Sequence, residues 1–206
     1  MKAKNCLLLC VLLVSVLIIP APARAFLNNF DTAAISDQGK WKGKLGITSS
    51  DNFFALFVGG NYGIQSGFEV TGRGGVLNSD VDEDETGLLL GIGGRYKAAF
   101  FANPNYPDFA LQATYDLGFA DGSALHSIAA AALVSKEVTA AESKHAITPY
   151  GGPEIEVMGG SLNDDTDVNF HLTLGTEFLL DRQFGIIFEG KIGGGSSVGL
   201  AVSYKF

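Results

Sequence analysis

The chain predicts an all-β fold, an antiparallel up-and-down transmembrane β-barrel, on three observations. Segments of about ten residues that alternate apolar and polar side chains recur along it, the length a tilted strand needs to cross a bilayer. The last segment alternates without a fault, with Val198, Leu200, Val202, Tyr204 and Phe206 on one face and Ser197, Gly199, Ala201, Ser203 and Lys205 on the other. It finishes on an aromatic residue, which a barrel wall places at a lipid–water boundary and a soluble domain has little reason to expose.

The other end of the chain names the compartment. Lys2 and Lys4, the apolar run Cys6 to Ile19, Pro20 and the pattern Ala23-Arg24-Ala25 predict a secretory signal peptide over 1–25, cleaved after Ala25. The run is short for a membrane-spanning helix. Leu9 stands where a lipidation site at Cys10 wants a small residue, so a lipoprotein is disfavoured. Cleavage removes Cys6 and Cys10, leaving no thiol for a disulfide, a nucleophile or a thiolate metal site. It also removes three cations, so 11 basic residues face 22 acidic ones, a balance that excludes nucleic acid as a partner.

The elements follow in order. Residues 26–40 are expected as a periplasmic N-terminal extension, with a short plug as the other possibility, and the wall occupies 41–206. The first hairpin, near 41–48 and 53–64, has faint periodicity. A turn at Gln65-Ser66-Gly67 starts a strand near 67–77. Near 87–101, Leu88, Leu90, Ile92, Tyr96 and Phe100 oppose Arg95 and Lys97. Near 108–119, Phe109, Leu111, Ala113, Tyr115, Leu117 and Phe119 oppose Asp108, Gln112, Thr114 and Asp116. A strand near 124–137 is blurred by the run Ala129 to Ala132, and the next, near 147–158, opens at Thr148-Pro149. Near 168–180, Val168, Phe170, Leu172, Leu174 and Phe178 oppose Asn169, His171, Thr173 and Glu177. Near 184–193, Phe184, Ile186, Phe188 and Ile192 oppose Gln183, Glu189 and Lys191, and the strand 197–206 closes the wall. That makes ten strands, an even number with both ends at one mouth, and eight is the alternative.

A secreted sandwich would alternate too. Besides the terminal Phe206, two features favour the barrel. Aromatics gather near strand ends, as Trp41, Tyr62, Tyr96, Phe100, Phe101, Tyr204 and Phe206. Connections also differ by side: short or proline-marked ones such as Asn103-Pro104-Asn105-Tyr106-Pro107 and Asp181-Arg182 on one, acidic loops at Ser79 to Thr86 and Gly160 to Asp167 on the other.

The terminal Val202-Ser203-Tyr204-Lys205-Phe206, the opening Thr148-Pro149-Tyr150-Gly151-Gly152 and the run Leu174-Gly175-Thr176-Glu177-Phe178 carry a resemblance. With them the mature chain resembles the small outer-membrane β-barrel proteins grouped as OmpA-like, opacity-type or porin-family barrels. The resemblance implies an outer-membrane location and assembly through recognition of the last strand, with Val202, Tyr204 and Phe206 as the signal that the barrel-assembly machinery reads. It does not imply one activity, since such barrels serve as anchors, adhesins, narrow pores and, rarely, enzymes.

Chemistry is sought in the lumen. If the apolar faces meet lipid, the inward charges are Lys42, Lys44, Arg73, Arg95, Lys97, Lys191 and Lys205 against Glu69, Asp116, Glu154, Glu156, Glu177 and Glu189. Buried charges persist only when paired, so these predict a network of ion pairs in a bore that wall side chains nearly fill. Inward glycines, including Gly91, Gly93, Gly152, Gly175, Gly185 and Gly199, either let long side chains lie flat or leave a thin water path.

Asp116, Ser127, Glu156 and His171 are the ingredients of an acyl-transfer triad, without a nucleophile motif around Ser127. Asp80, Asp82 and Asp84 alternate as in a calcium loop, but Glu85 stands where the turn glycine belongs and Gly91 where the closing glutamate does. A weaker possibility is that Asp82, Glu83, Asp84, Asp164, Asp165 and Asp167 share divalent cations with lipopolysaccharide phosphates. No histidine metal site is supported at His126 or His145. The sequence therefore predicts a monomeric, non-enzymatic outer-membrane barrel without metal or cofactor, structural or engaged in surface interaction, with outer-membrane lipid and lipopolysaccharide as partners. A narrow porin-like channel is the alternative, and a lipid-modifying enzyme ranks third.

Overall fold

The structure, a computed structural model, describes residues 27–50, 53–79, 85–98, 106–120, 123–139, 145–161 and 163–206. Ten antiparallel strands form the wall: β1 (Trp41–Ser50), β2 (Phe53–Gln65), β3 (Phe68–Ser79), β4 (Glu85–Lys97), β5 (Asp108–Ala120), β6 (Ser123–Ser135), β7 (Ala146–Gly160), β8 (Asn163–Leu179), β9 (Phe184–Gly193) and β10 (Ser197–Lys205). Each pairs with its neighbour in sequence, and β1 pairs β10 from Lys42↔Lys205 to Ser50↔Ser197, so the sheet closes without an edge. A two-residue piece, Val138–Thr139, extends the pairing along the start of β7.

The blurred segments belong to the wall because neighbours supply what periodicity lacks. The first hairpin is paired from Trp41↔Tyr62 to Ser49↔Phe54, and Ala129 to Ala131 pair across to β7. Pairing between β6 and β7 skips from Ala131↔Glu154 to Val134↔Gly151, where Pro153 has no N–H to offer.

Burial is inverted relative to a soluble domain. Val58, Ile92 and Phe170 are 63, 65 and 69 % exposed on the outside, while Arg95, Lys191, Glu69 and Glu154 are buried within. Such a wall satisfies its backbone internally and turns hydrocarbon outward, as a bilayer requires. A tilted ring pair, Trp41–Tyr62 (4.6 Å between centroids), and an edge-to-face pair, Tyr204–Phe206 (4.8 Å), stand at the mouth that holds the chain ends of the wall, with Tyr96 exposed among them.

Three expectations are corrected. First, the acidic stretch 160–167 is not a long loop: β8 begins at Asn163, with Gly160↔Asn163 and Met158↔Asp167 in register. Polar side chains do not oppose pairing where a hairpin stands in water. The connections at that end span only 51–52, 80–84, 121–122, 161–162 and 194–196, whereas 98–107 and 136–145 lie at the mouth with the termini. Second, β4 ends at Lys97 rather than near 101. Third, of the two possibilities for 26–40 the periplasmic extension gives way to the short plug: Leu27 to Ala33 lie inside the barrel and are all buried. Phe100, Phe101, Asp80, Asp82, Glu83, Asp84 and the expected signal peptide fall outside the described residues.

Candidate functional site: a plugged lumen

The lumen is built in three storeys by the inward row of each strand. Away from the termini it is apolar: Phe53, Leu77, Leu89, Leu125 and Met158 are buried against one another. In Leu88-Leu89-Leu90 the inward residue cannot be told from its lipid-facing neighbours by hydropathy, so this layer left no mark in the sequence.

The middle storey is charged. Arg73 forks onto Asp116 (Nε 2.7 Å, Nη2 2.5 Å), Lys191 meets Glu154 (2.5 Å), Lys42 meets Glu177 (2.7 Å), and Arg95 pairs with Glu69. These pairs join residues far apart in sequence, and a bidentate guanidinium holds its carboxylate most firmly. Inward glycines make room for them. A Cβ on Gly91 would stand 2.0 Å from Asp116 Oδ1, and one on Gly175 2.2 Å from the Tyr150 ring, so these positions accommodate flat side chains. Lys97 stands apart from the network: it sits at the rim, 40 % exposed at the side chain, and pairs with Asp108 (2.5 Å), because β4 ends there.

The N-terminal segment threads this storey. It enters beside β2, where Gln38 bridges Gly63 in parallel, and climbs away from the termini. The wall grips its backbone more than its side chains. Glu189 accepts the N–H groups of Asn29 and Phe30 at 2.7 Å each, Glu69 that of Ser36 (2.6 Å) and Ser135 that of Ala33 (3.1 Å). Arg73 donates to the Asn28 carbonyl (2.6 Å) and Arg95 to that of Thr32. These bonds satisfy peptide groups that a sheet or helix would otherwise pair. Side chains add polar anchors: Asp31 takes Lys44 (2.8 Å) and Asn61 (2.9 Å), and Asn28 accepts from Thr48 (2.5 Å).

Phe30 is the wedge. Its φ of 56° is a conformation that a bulky side chain adopts rarely, at a cost of about 1–3 kcal/mol. The ring is fully buried 5.5 Å from that of Phe57, over Gly199, where a Cβ would lie 2.3 Å from Phe30 Cζ. Burying such a side chain returns about 1.5–3 kcal/mol, enough to hold the strained turn. Beside the plug a void of about 10 Å³, room for one water, is left among Asn29, Lys44, Arg73 and Gln112. The third storey, at the termini, is a vestibule of about 310 Å³ lined by Ser36, Lys42, Arg95, Asp108, Glu177 and Lys205.

The triad candidates are brought together in an order that does not serve acyl transfer. Glu156 stands between Ser127 (2.5 Å) and His171 (3.1 Å), so the imidazole is positioned to orient a carboxylate and not to activate the hydroxyl, while Asp116 is taken by Arg73. His126 has a partner, since Tyr115 Oη lies 2.7 Å from its Nδ1 on the outer face. Among the described residues no group of three His, Cys, Asp or Glu side chains is placed to hold a metal ion. Val202, Tyr204 and Phe206 line the outer face of the closing strand, with Phe206 N bonded to the Trp41 carbonyl (2.9 Å).

Sequence reasoning missed Asn28, Asn29, Phe30, Asp31 and Thr32 as lumen residues. A usable signal was present in the wall: the inward Gly199 leaves a space that no wall side chain fills and that Phe30 occupies.

No family model matches the chain, and no curated protein matches it in sequence. Solved structures do resemble it. The β domain of the Bordetella autotransporter BrkA superposes over 83 % of this chain and 100 % of its own at 12 % identity, with a TM-score of 0.50. A de novo designed transmembrane β-barrel (11 % identity, 84 % of this chain, 100 % of that one, TM-score 0.40) and the N-terminal β-barrel domain of Pseudomonas aeruginosa OprF (13 %, 83 %, 100 %, 0.36) are also similar. At these identities the likeness is one of fold. The chain is thus a closed, antiparallel, ten-stranded β-barrel of the architecture that outer-membrane barrels share.

Proposed function

We propose that this chain is an integral outer-membrane barrel held shut by its own N-terminal segment, with a structural or surface-interaction role and no enzymatic activity. The observation that carries the reading is the burial of Leu27 to Ala33 in the lumen, gripped through the backbone by Glu189, Arg95 and Arg73. The apolar outer wall supports the location, and the order Ser127–Glu156–His171 speaks against hydrolysis. Assembly would read Val202, Tyr204 and Phe206, the outward aromatics and aliphatics of the closing strand. A strain lacking the chain tests this role: uptake of small solutes should be unchanged while resistance of the envelope to detergent falls. Impaired uptake with an intact envelope would contradict it.

A second reading, a narrow channel, is favoured by one feature. The vestibule of about 310 Å³ leads to a plug that continues into the wall through 37–40, and the charged rows that grip it would line an open path if it moved aside. Intact protein in liposomes separates the two, since swelling in small sugars is expected only of a channel.

A further inference from the structure

The wall holds the N-terminal segment as a receptor holds a peptide. Leu27 to Asp37 form neither helix nor sheet, so their N–H and C=O groups take partners from the inward rows. Glu189 and Glu69 accept the N–H groups of Asn29, Phe30 and Ser36. Arg73, Lys44 and Arg95 donate to the carbonyls of Asn28 (2.6 Å), Asn29 (3.4 Å), Thr32 and Ala34 (3.5 Å). Bonds of this kind read main chain, which every peptide carries. Two side chains add selection. The Phe30 ring fills the hollow over Gly199 beside Phe57, and the Asp31 carboxylate meets Lys44 (2.8 Å), Asn61 (2.9 Å) and Arg95 (3.4 Å).

The direction is fixed as well. Ser36 bonds near the mouth with the termini, while Asn28 reaches Thr48 deeper in, so the N-terminal end of the segment is innermost. Leu77, Leu89 and Met158 close the lumen beyond Leu27 among the described residues, whereas Thr32, Ala34 and Ile35 line the vestibule. None of the gripping wall groups depends on the covalent link at 37–40.

We propose that the lumen is a peptide-binding site whose resident ligand is the chain's own segment. It accepts from the vestibule, N-terminal end first, a segment of another polypeptide that carries an aromatic residue followed by an acidic one. The proposal rests on the reading of a lumen shut by residues 27–36. The tethered segment competes at an effective concentration of about millimolar, so a visiting peptide is taken only when the resident is weakened or when a polypeptide held at the mouth raises its own local concentration.

The test uses a dye-labelled peptide of sequence Leu27 to Gln38, acetylated at its N-terminus, with anisotropy read against protein refolded in micelles and checked by a heat-modifiable gel shift. The full chain carrying Phe30→Ala and Asp31→Ala should bind it, as should a chain lacking 27–36, and the intact chain should not at micromolar peptide. Replacing the aromatic residue of the peptide by Ala, methylating its Asn29 and Phe30 amide nitrogens, or adding Glu189→Gln to the protein should each weaken binding about tenfold. A peptide of reversed sequence should not bind. Absence of binding by both folded variants, equal binding of the reversed peptide, or micromolar binding by the intact chain would overturn the site. Asn29→Cys in the otherwise intact chain separates the two readings. Rapid labelling there would contradict the plug itself, whereas a shielded thiol without peptide uptake would contradict only the peptide site.

Discussion

Glu189 shows how one residue decides what the lumen holds. Its two oxygens accept from the backbone of Asn29 and Phe30 and from the Tyr150 hydroxyl (2.7 Å), so among the described residues dipoles rather than a bonded cation satisfy this carboxylate. Arg95 is the converse, a guanidinium shared by Glu69, Asp31 and two plug carbonyls. Arg95→Met leaves the buried Glu69 carboxylate without its cation and should cost about 3–5 kcal/mol, read as a shift of the urea midpoint in micelles. Outside the membrane, Asp181 caps the turn before β9: bonds from the N–H groups of Phe184 (2.6 Å) and Gln183 (2.7 Å) hold its carboxyl below the usual carboxylate range. A depressed folded value means the turn is favoured above the ordinary carboxylate pKa and loses this support as pH falls through the folded one. Exchange protection of the Gln183 and Phe184 amides should follow that course and be absent in Asp181→Asn.

At the scale of elements, the strands were legible, and the plug was legible only as the alternative to a periplasmic extension. Period-two alternation marks β8, β9 and β10 because each has one face in lipid and one in the lumen. Leu27-Asn28-Asn29-Phe30-Asp31-Thr32 has no period, since it is held by backbone donors and acceptors that every sequence possesses. Inward charges could be read by parity, but much of their pairing could not, because Arg73 reaches Asp116 across an intervening strand and β8 and β1 meet only through the closed wall. A wall change should therefore dislodge the plug. Gly199→Val drives a side chain into the Phe30 ring and the Ile47 carbonyl. Asn29→Cys should be shielded from a thiol reagent in the intact wall and labelled rapidly in the Gly199→Val background. Equal labelling would show that Phe30 is not the wedge.

The whole molecule is a wall turned inside out around a peptide. Ten strands enclose more space than their own side chains occupy, and the chain fills the remainder with its own segment rather than with larger inward residues. Plug and apolar layer meet at Leu27 and Phe30, which belong to one buried cluster with Leu77, Leu89 and Met158. Closure therefore depends on both, and removing the segment also opens the layer above it. Single-channel recording in a planar bilayer tests this most directly, comparing the intact chain with one lacking residues 27–36, both shown to be folded by the gel shift. The intact barrel should be silent, and the shortened one should give discrete conductance steps whose ion selectivity changes with Glu177→Gln. Steps in the intact chain, or silence in both, would contradict a lumen held shut by its N-terminal segment.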